Sequence, residues 1–126
     1  MVSAYDELPR TPANFVALSP LRYLERAAYI YPHQDAIIHG HRHISWRETY
    51  QRCRQFASQL QKLGITKNDT VSVLLPNIPA MIEAHFAVPM TGAVLNTLNT
   101  RLDAKTIAFM LEHAETKVLL VDPEFA

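Results

Sequence analysis

The chain is 126 residues long, 48% apolar and 19% charged, with 12 basic and 12 acidic side chains. Domains commonly run about 100–150 residues, so this is one domain's worth at most, apolar enough to collapse and far from a disordered composition. Charge balance gives no basic excess for nucleic acid or an anionic membrane, and no acidic tail. Glycine is scarce: 3 residues, Gly40, Gly64 and Gly92, against about nine expected at average usage. No two lie close together, so neither a Gly-rich phosphate loop nor a dinucleotide fingerprint can be built. The single cysteine, Cys53, excludes an internal disulfide.

Residues 1–18, with Pro9 and Pro12, read as an extended N-terminal arm without the basic and apolar regions of a signal peptide. Ser19-Pro20 opens a helix by cap and proline. Leu21, Leu24, Ala28 and Tyr31 give its apolar stripe, and Pro32 stops it. Ala36–Ile38 and His43-Ile44 flank Gly40-His41-Arg42 and predict a β-hairpin. Ser45-Trp46-Arg47-Glu48 is a capping box. It opens a helix with Trp46, Tyr50, Cys53, Ala57 and Leu60 on one stripe and Arg47, Arg52, Arg54, Gln55 and Lys62 mostly elsewhere. Gly64 closes it as a left-handed cap.

From Val71 the rhythm changes. Val71–Leu75, Ala93–Leu95 and Lys117–Val121 are apolar strands. Between them lie a helix capped by Asn77, with Pro79, Ile82, Phe86 and a late, disruptive Pro89, and a helix capped by Asp103. Leu102 and Ile107 form a hydrophobic staple on the latter, and Ile107, Met110, Leu111 and Ala114 make its buried face. Strand–helix–strand–helix–strand over 71–121, with wholly apolar strands, predicts a parallel sheet buried on both faces and right-handed crossovers. The fold class is α/β: a partial layered fold with an N-terminal helix and hairpin followed by a βαβαβ parallel unit. Ligands of such sheets bind beyond the carboxyl ends of the strands. The longest apolar stretch, Ala84–Leu95, is broken by His85, Pro89 and Gly92 and falls short of the about 20 residues of a membrane span. The expectation is a soluble, cytoplasmic protein.

Candidate chemistry is sparse. His39, His41 and His43 are the densest metal-capable cluster, with His39 and His43 placed to meet across the turn. Zinc wants three or four ligands, and no carboxylate or cysteine lies nearby in sequence, so a solvated hairpin tip is expected. Glu83 and His85, two apart on a helix, do not face each other. Phe86 and Trp46 read as core. Cys53, with no cation placed beside it, reads as a buried, inert thiol. His113 reads as a cation near a helix C-terminus. Asn96, Thr97, Asn99, Thr100 and Arg101 form a polar segment after the second parallel strand, where function would sit, although turn chemistry accounts for most of them. No nucleophile–base pair, carboxylate pair or phosphate loop can be assembled. Catalytic, cofactor-binding and metal-binding residues are therefore all assigned as none.

Leu74-Leu-Pro-Asn-Ile-Pro79, Ala84–Val94, Leu95-Asn-Thr-Leu-Asn-Thr-Arg-Leu102 and Leu111–Asp122 occur in order and at spacings that resemble the N-terminal part of acyl-CoA synthetases. These are AMP-forming, adenylating enzymes; Pro20–Ala28, Tyr31-Pro32, Ser45-Trp46-Arg47 and Leu63-Gly64-Ile65 extend the likeness over roughly 14–126. The closest flavour is that of medium-chain fatty acyl-CoA synthetases and related short-chain and benzoate ligases. The resemblance implies two steps: a carboxylate attacks the α-phosphate of ATP, and the coenzyme A thiol then displaces AMP. It implies ATP, Mg²⁺ and coenzyme A for a complete enzyme, a carboxylic (fatty) acid substrate, and no nucleic-acid partner. The family's Ser/Thr/Gly-rich loop, its ribose-binding acid and its C-terminal lysine are not in this sequence, and members are several times longer. Residues 19–126 are accordingly expected to be an incomplete N-terminal part of the AMP-binding domain. Their partner is the remainder of the same polypeptide; they are inactive alone and carry exposed apolar surface where that remainder packs. Asn99 and Arg101 are the residues expected to approach the site. The alternative is a self-standing, non-catalytic α/β interaction module, and a third possibility is an active mini-enzyme.

Overall fold

The structure is a computed structural model that describes Glu7 and residues 9–125. Most of the arm's first eight residues lie outside the described part. Within the rest of the arm, Thr11–Asn14 form a turn in which the Asn14 carboxamide accepts from the Thr11 amide at 2.8 Å. The arm is therefore not extended throughout.

Helix α1 (Pro20–Ile30) starts where expected, with Ser19 Oγ accepting from the Leu21 amide at 3.3 Å. It buries Leu24, while Tyr31 caps the end and stays half-exposed instead of joining the stripe. Strands β1 (Asp35–His39) and β2 (Arg42–Ser45) form the hairpin, with Ile37 opposite Ile44 on its buried face. Its loop is two residues, shorter than the three expected, and Gly40 at its first position takes φ +60°, the geometry of a type II′ turn.

Helix α2 (Trp46–Lys62) is capped by Ser45 Oγ on the Glu48 amide at 3.2 Å. The reciprocal Glu48 bond of a full capping box is not formed among the described residues. The far end is a complete Schellman motif: the Gly64 amide reaches Gln61 O, the Ile65 amide reaches Leu60 O, each at 3.0 Å, and Leu60 packs on Ile65. Gly64 takes φ +86° there, a conformation that costs glycine nothing.

Strands β3 (Thr70–Leu74), β4 (Val94–Thr97) and β5 (Thr116–Val121) form a parallel sheet in the order β4-β3-β5. Helix α3 (Pro79–Met90) links β3 to β4, and α4 (Ala104–His113) carries the chain back past β3 to β5. Right-handed crossovers in opposite directions set α3 and α4 on opposite faces of the sheet. On the α3 face, Val71 and Val73 pack with Leu60, Ala84, Val88 and the half-buried Leu95, Val118 and Leu120.

Two details depart from the sequence pattern and one agrees with it. Asn77 does not cap α3; Ile78 stands at that position with no side-chain bond, and Pro79 begins the helix. Pro89 sits in the last turn, and α3 ends one residue later at Met90, short of Gly92, as a late proline predicts. Burial on both faces holds only for β3, where Val71–Leu74 are all buried. The edge strands are half-buried, and α4 buries no residue, so Ile107, Met110, Leu111 and Ala114 are only partly covered.

Candidate functional site

Beyond the carboxyl ends of β3 and β4 lies an open cleft of about 540 Å³. One wall is the loop Leu75–Asn77 with Met81 and His85 of α3; the other is Thr97–Arg101. Leu98 anchors the second wall: its amide donates to Val73 O at 2.9 Å, and its side chain is buried. Asn99 then turns the chain, its side-chain oxygen accepting from the Arg101 amide at 3.0 Å, an Asx turn. That turn leaves Arg101 exposed at the rim as the guanidinium of the cleft. Across from it, His85 Nδ1 lies 2.8 Å from Met81 O. A carbonyl only accepts, so Nδ1 carries the proton and Nε2 is left for other partners. The lining holds amides, hydroxyls, one imidazole and one guanidinium, but no carboxylate. It can hold a polar or anionic group, and it assembles no nucleophile with a base.

Thr97, Asn99, Thr100 and Arg101 thus come together as the sequence placed them, while Asn96 does not join them. It lies in β4 and donates through Nδ2 to Ser72 Oγ at 2.9 Å. Ser72 Oγ is in turn 2.7 Å from Thr116 Oγ1. This chain of side chains ties all three parallel strands together on the α4 side of the sheet.

The hairpin histidines do not converge. His39 stands opposite Arg42 and His43 opposite Ile38, so the hairpin's two-residue loop sends His39 and His43 to opposite faces. A carboxylate absent from the nearby sequence pattern is present in space: His43 Nδ1 lies 2.6 Å from Asp35 Oδ2. Among the described residues no group of three metal-capable side chains could hold an ion. His113 sits in the last turn of α4 and stacks on Phe109, ring centroids 5.6 Å apart. Phe86 and Trp46 are half-buried against the cluster of Leu24, Cys53, Ala57 and Ala87.

Cys53 is fully buried, and burial pushes its thiol up to about 12. The neighbouring Glu83 charge adds to that rise, and Arg52 opposes it only in part. A thiol so held carries no thiolate near neutrality and is inert. The Glu83–Arg52 pair escaped the sequence reading. Arg52 Nε donates to Glu83 Oε1 at 2.5 Å and Nη2 to Oε2 at 3.2 Å, a two-pronged bridge from α2 to α3. The hydrogen bond to Glu83 is the main cause holding the Arg52 guanidinium above its usual range. A signal was available: a carboxylate between Ile82 and Ala84 on an apolar helix requires a cation, and Arg52 flanks the stripe of the preceding helix.

A parallel sheet with an open cleft and one guanidinium at its carboxyl end defines an α/β unit whose ligand side is the end of the strands. Residues 24–126 match the AMP-binding enzyme family, and the chain belongs to it. It is 53% identical over 120 residues to a peroxisomal acetate/butyrate–CoA ligase of Arabidopsis thaliana. It is 55% identical over 120 residues to a peroxisomal trans-cinnamate:CoA ligase of Petunia hybrida. Each alignment covers 95% of this chain and 21% of the relative, so the chain spans about a fifth of their length. Among solved structures, unliganded O-succinylbenzoate coenzyme A synthetase of Bacillus subtilis superposes with a TM-score of 0.78 at 29% identity, over 82% of this chain and 23% of that one. A Rhodopseudomonas palustris protein assigned as a long-chain-fatty-acid CoA ligase gives 0.81 at 29% identity, over 86% and 28%. The chain thus matches one part of several CoA ligases, and none of its described helices is long and apolar enough to cross a membrane.

Proposed function

We propose that this chain is the scaffold portion of an ATP-dependent acyl-CoA ligase, which joins a carboxylate to AMP and then to the thiol of coenzyme A. The observation that carries the reading is the family match over residues 24–126, set beside a cleft that offers Arg101 at the carboxyl end of the sheet. The carboxylic acid we favour is a short fatty acid, because relatives at 53–56% identity are named for acetate and butyrate. An aromatic acid stands second, after the relatives named for cinnamate and benzoate. ATP with Mg²⁺ does not fit the residues present. The cleft has one guanidinium and no carboxylate, and the chain has no Gly-rich loop. The role of this portion is to hold the sheet and to bring Arg101 and Asn99 toward a phosphate-bearing substrate. The location we favour is cytoplasmic, whereas several relatives are named peroxisomal. A fluorescent fusion that keeps the complete protein's own C-terminus distinguishes the two.

The test is ATP–pyrophosphate exchange and thioester formation with acetate, butyrate, hexanoate, cinnamate and benzoate. The full-length protein should turn over the short acids, while the 126-residue chain stays at baseline. In the full-length protein, Arg101→Ala should raise the KM for coenzyme A about tenfold, the loss of one charge-assisted hydrogen bond. Exchange by the 126-residue chain alone, or no activity of the full-length protein with any acid, overturns the proposal.

A further inference from the structure

The balance of charge over the whole chain hides a division within it. Residues 20–62, which make α1, the hairpin and α2, hold seven basic side chains and three acidic ones, whereas residues 63–126 hold four and seven. A chain of zero net charge is therefore a dipole, basic in its α1–α2 layer and acidic in its sheet half. Five of the basic side chains, Arg22 and Arg26 of α1 and Arg47, Arg54 and Lys62 of α2, are exposed, and none of them is in an ion pair among the described residues. Three shallow, open grooves join them into one band. The groove along α1, with Arg22, Arg26 and Ile30, shares Glu25 and Tyr29 with the groove between α1 and α2. That one shares Gln51 and Arg54 with the groove along α2, which ends at Lys62. Glu25 is the one carboxylate that lines the band. Exposed apolar bulk gathers in the same stretch of chain: among the described residues, seven of the thirteen large apolar side chains left open lie between Phe15 and Tyr31. Tyr29 is 87% exposed and Ile30 43%, on the face of α1 that carries Arg22 and Arg26 at helical spacing.

We propose that the outer face of α1 and α2 is a peripheral docking surface for an anionic phospholipid bilayer. A guanidinium fork matches the free oxygens of a headgroup phosphate, so Arg22, Arg26, Arg47 and Arg54 hold the lipid headgroups. Tyr29 and Ile30 enter the boundary between headgroups and acyl chains, where a ring with a polar tip is well solvated at both ends. The contact is made at the surface and needs no spanning helix. Three observations choose this occupant over an acidic protein or a nucleic acid. Anchors of a protein interface fill pockets, whereas Tyr29 and the 64% exposed Tyr23 stand out from the helix, which a fluid interface accommodates without matching shape. Nucleic-acid bases stack on bare aromatic faces, but the Arg54 guanidinium already lies 5.6 Å over the Tyr50 ring and that of Arg10 4.8 Å over Phe15. The division of charge also suits a plane, because a negative surface attracts the basic layer and repels the acidic half, fixing one orientation at zero net charge.

The test is flotation of the full-length protein with vesicles. No substrate is added, so binding is read independently of ligase activity. Vesicles of phosphatidylcholine with about 30% phosphatidylglycerol should bind at least tenfold more protein than pure phosphatidylcholine, and about 0.5 M salt should lower that binding at least tenfold. Arg22→Glu with Arg26→Glu should weaken binding at least tenfold, and Tyr29→Ser about threefold. Lys105→Glu with Lys117→Glu makes the same change of net charge at two exposed lysines of the acidic half and should alter binding less than about twofold. If the α1 variant fails to fold, Arg47→Gln with Arg54→Gln on α2 replaces it and should weaken binding at least threefold. Equal binding to both kinds of vesicle overturns the proposal. An equal loss from the lysine variant does so too, since net charge alone would then be responsible. Tighter binding of poly-glutamate or of a single-stranded oligonucleotide than of the anionic vesicles also overturns it, and assigns the face to a protein or nucleic-acid partner.

Discussion

On one side of the parallel sheet, Val71 and Val73 meet Leu60, Ala84 and Val88, and all five are closed off from solvent. On the other side, Val94 and Leu119 stay open under a helix that buries nothing. The local chemistry differs in the same sense. α2 ends in a Schellman motif with glycine in the left-handed position, while α4 ends with Glu115 at φ +49°, a conformation a side chain resists. What separates the sides is the number of layers. The α3 face has α2 and α3 bound to each other by a charged bridge and a shared apolar cluster. The α4 face has one helix. An α/β sheet is covered on both faces when its layers are complete, and here the α4 face carries the thinner cover.

The largest effect that can break this contrast comes from the closed side. Leu60 is 1% exposed between Ile65, Val71 and Val88, and Leu60→Ala should cost about 4 kcal/mol by lost transfer and by the cavity left behind. Phe109→Ala removes a larger side chain from the open side and should change stability by no more than about 0.5 kcal/mol. Urea denaturation of both variants measures the difference. Equal losses would show that α4 is as firmly packed as α2 and would erase the distinction.

The bridge between α2 and α3 gives the next effect. The Glu83 side chain is 7% exposed and that of Arg52 41%, so the partners do not respond alike. Arg52→Ala strands a buried carboxylate and should cost about 2 kcal/mol, a buried-pair value reduced because the arginine is partly solvated. Glu83→Gln should cost less, since the carboxamide oxygen still accepts from Nε while Nη2 turns to water. Arg52→Met with Glu83→Leu should return to within about 1 kcal/mol of the parent, because apolar groups of similar volume replace buried ion pairs well. Thermal melts of the four chains decide it, and a double variant as weak as Arg52→Ala would show that the charges hold the helices directly.

Much of this was readable from residues. Ser19-Pro20, Ser45 and Asp103 sit where the helices begin, because each supplies a side-chain oxygen to orphan amides. Apolar runs located all three parallel strands to within about two residues. The reading failed where distance in sequence hides distance in space. Arg52 and Glu83 are 31 residues apart, and one wall of the cleft, from Leu75 to His85, is polar only in combination with Thr97–Arg101 on the other. It failed again at α4 and the edge strands, because periodicity reports which face of an element is apolar and not whether anything covers it. Asn77 shows the remaining kind of failure: a good capping residue stands one position too early, and Pro79, fixed in φ, sets the start of α3.

The smallest effect belongs to the cap of the open side's helix. Asp103 Oδ1 accepts from the Thr106 amide at 3.0 Å and Oδ2 from Thr106 Oγ1 at 2.6 Å. Those bonds, the hydroxyl first, hold the Asp103 carboxyl below the ordinary carboxylate range. Asp69 is lowered in the same way by the amide and hydroxyl of Thr66. A carboxyl depressed in the folded chain favours folding fully above its unfolded value, near pH 4. That contribution fades as the pH falls through the lower folded value. Asp103→Asn keeps an acceptor for the Thr106 amide but does not titrate. Its deficit against the parent should therefore be present at pH 7 and shrink by pH 3, read as the gap between two urea midpoints. Because α4 buries no residue, the loss should appear first as faster amide exchange in Thr106–Met110 with β3 unchanged. A cap substitution that loosened β3 as much as α4 would mean that the two sides melt as one unit.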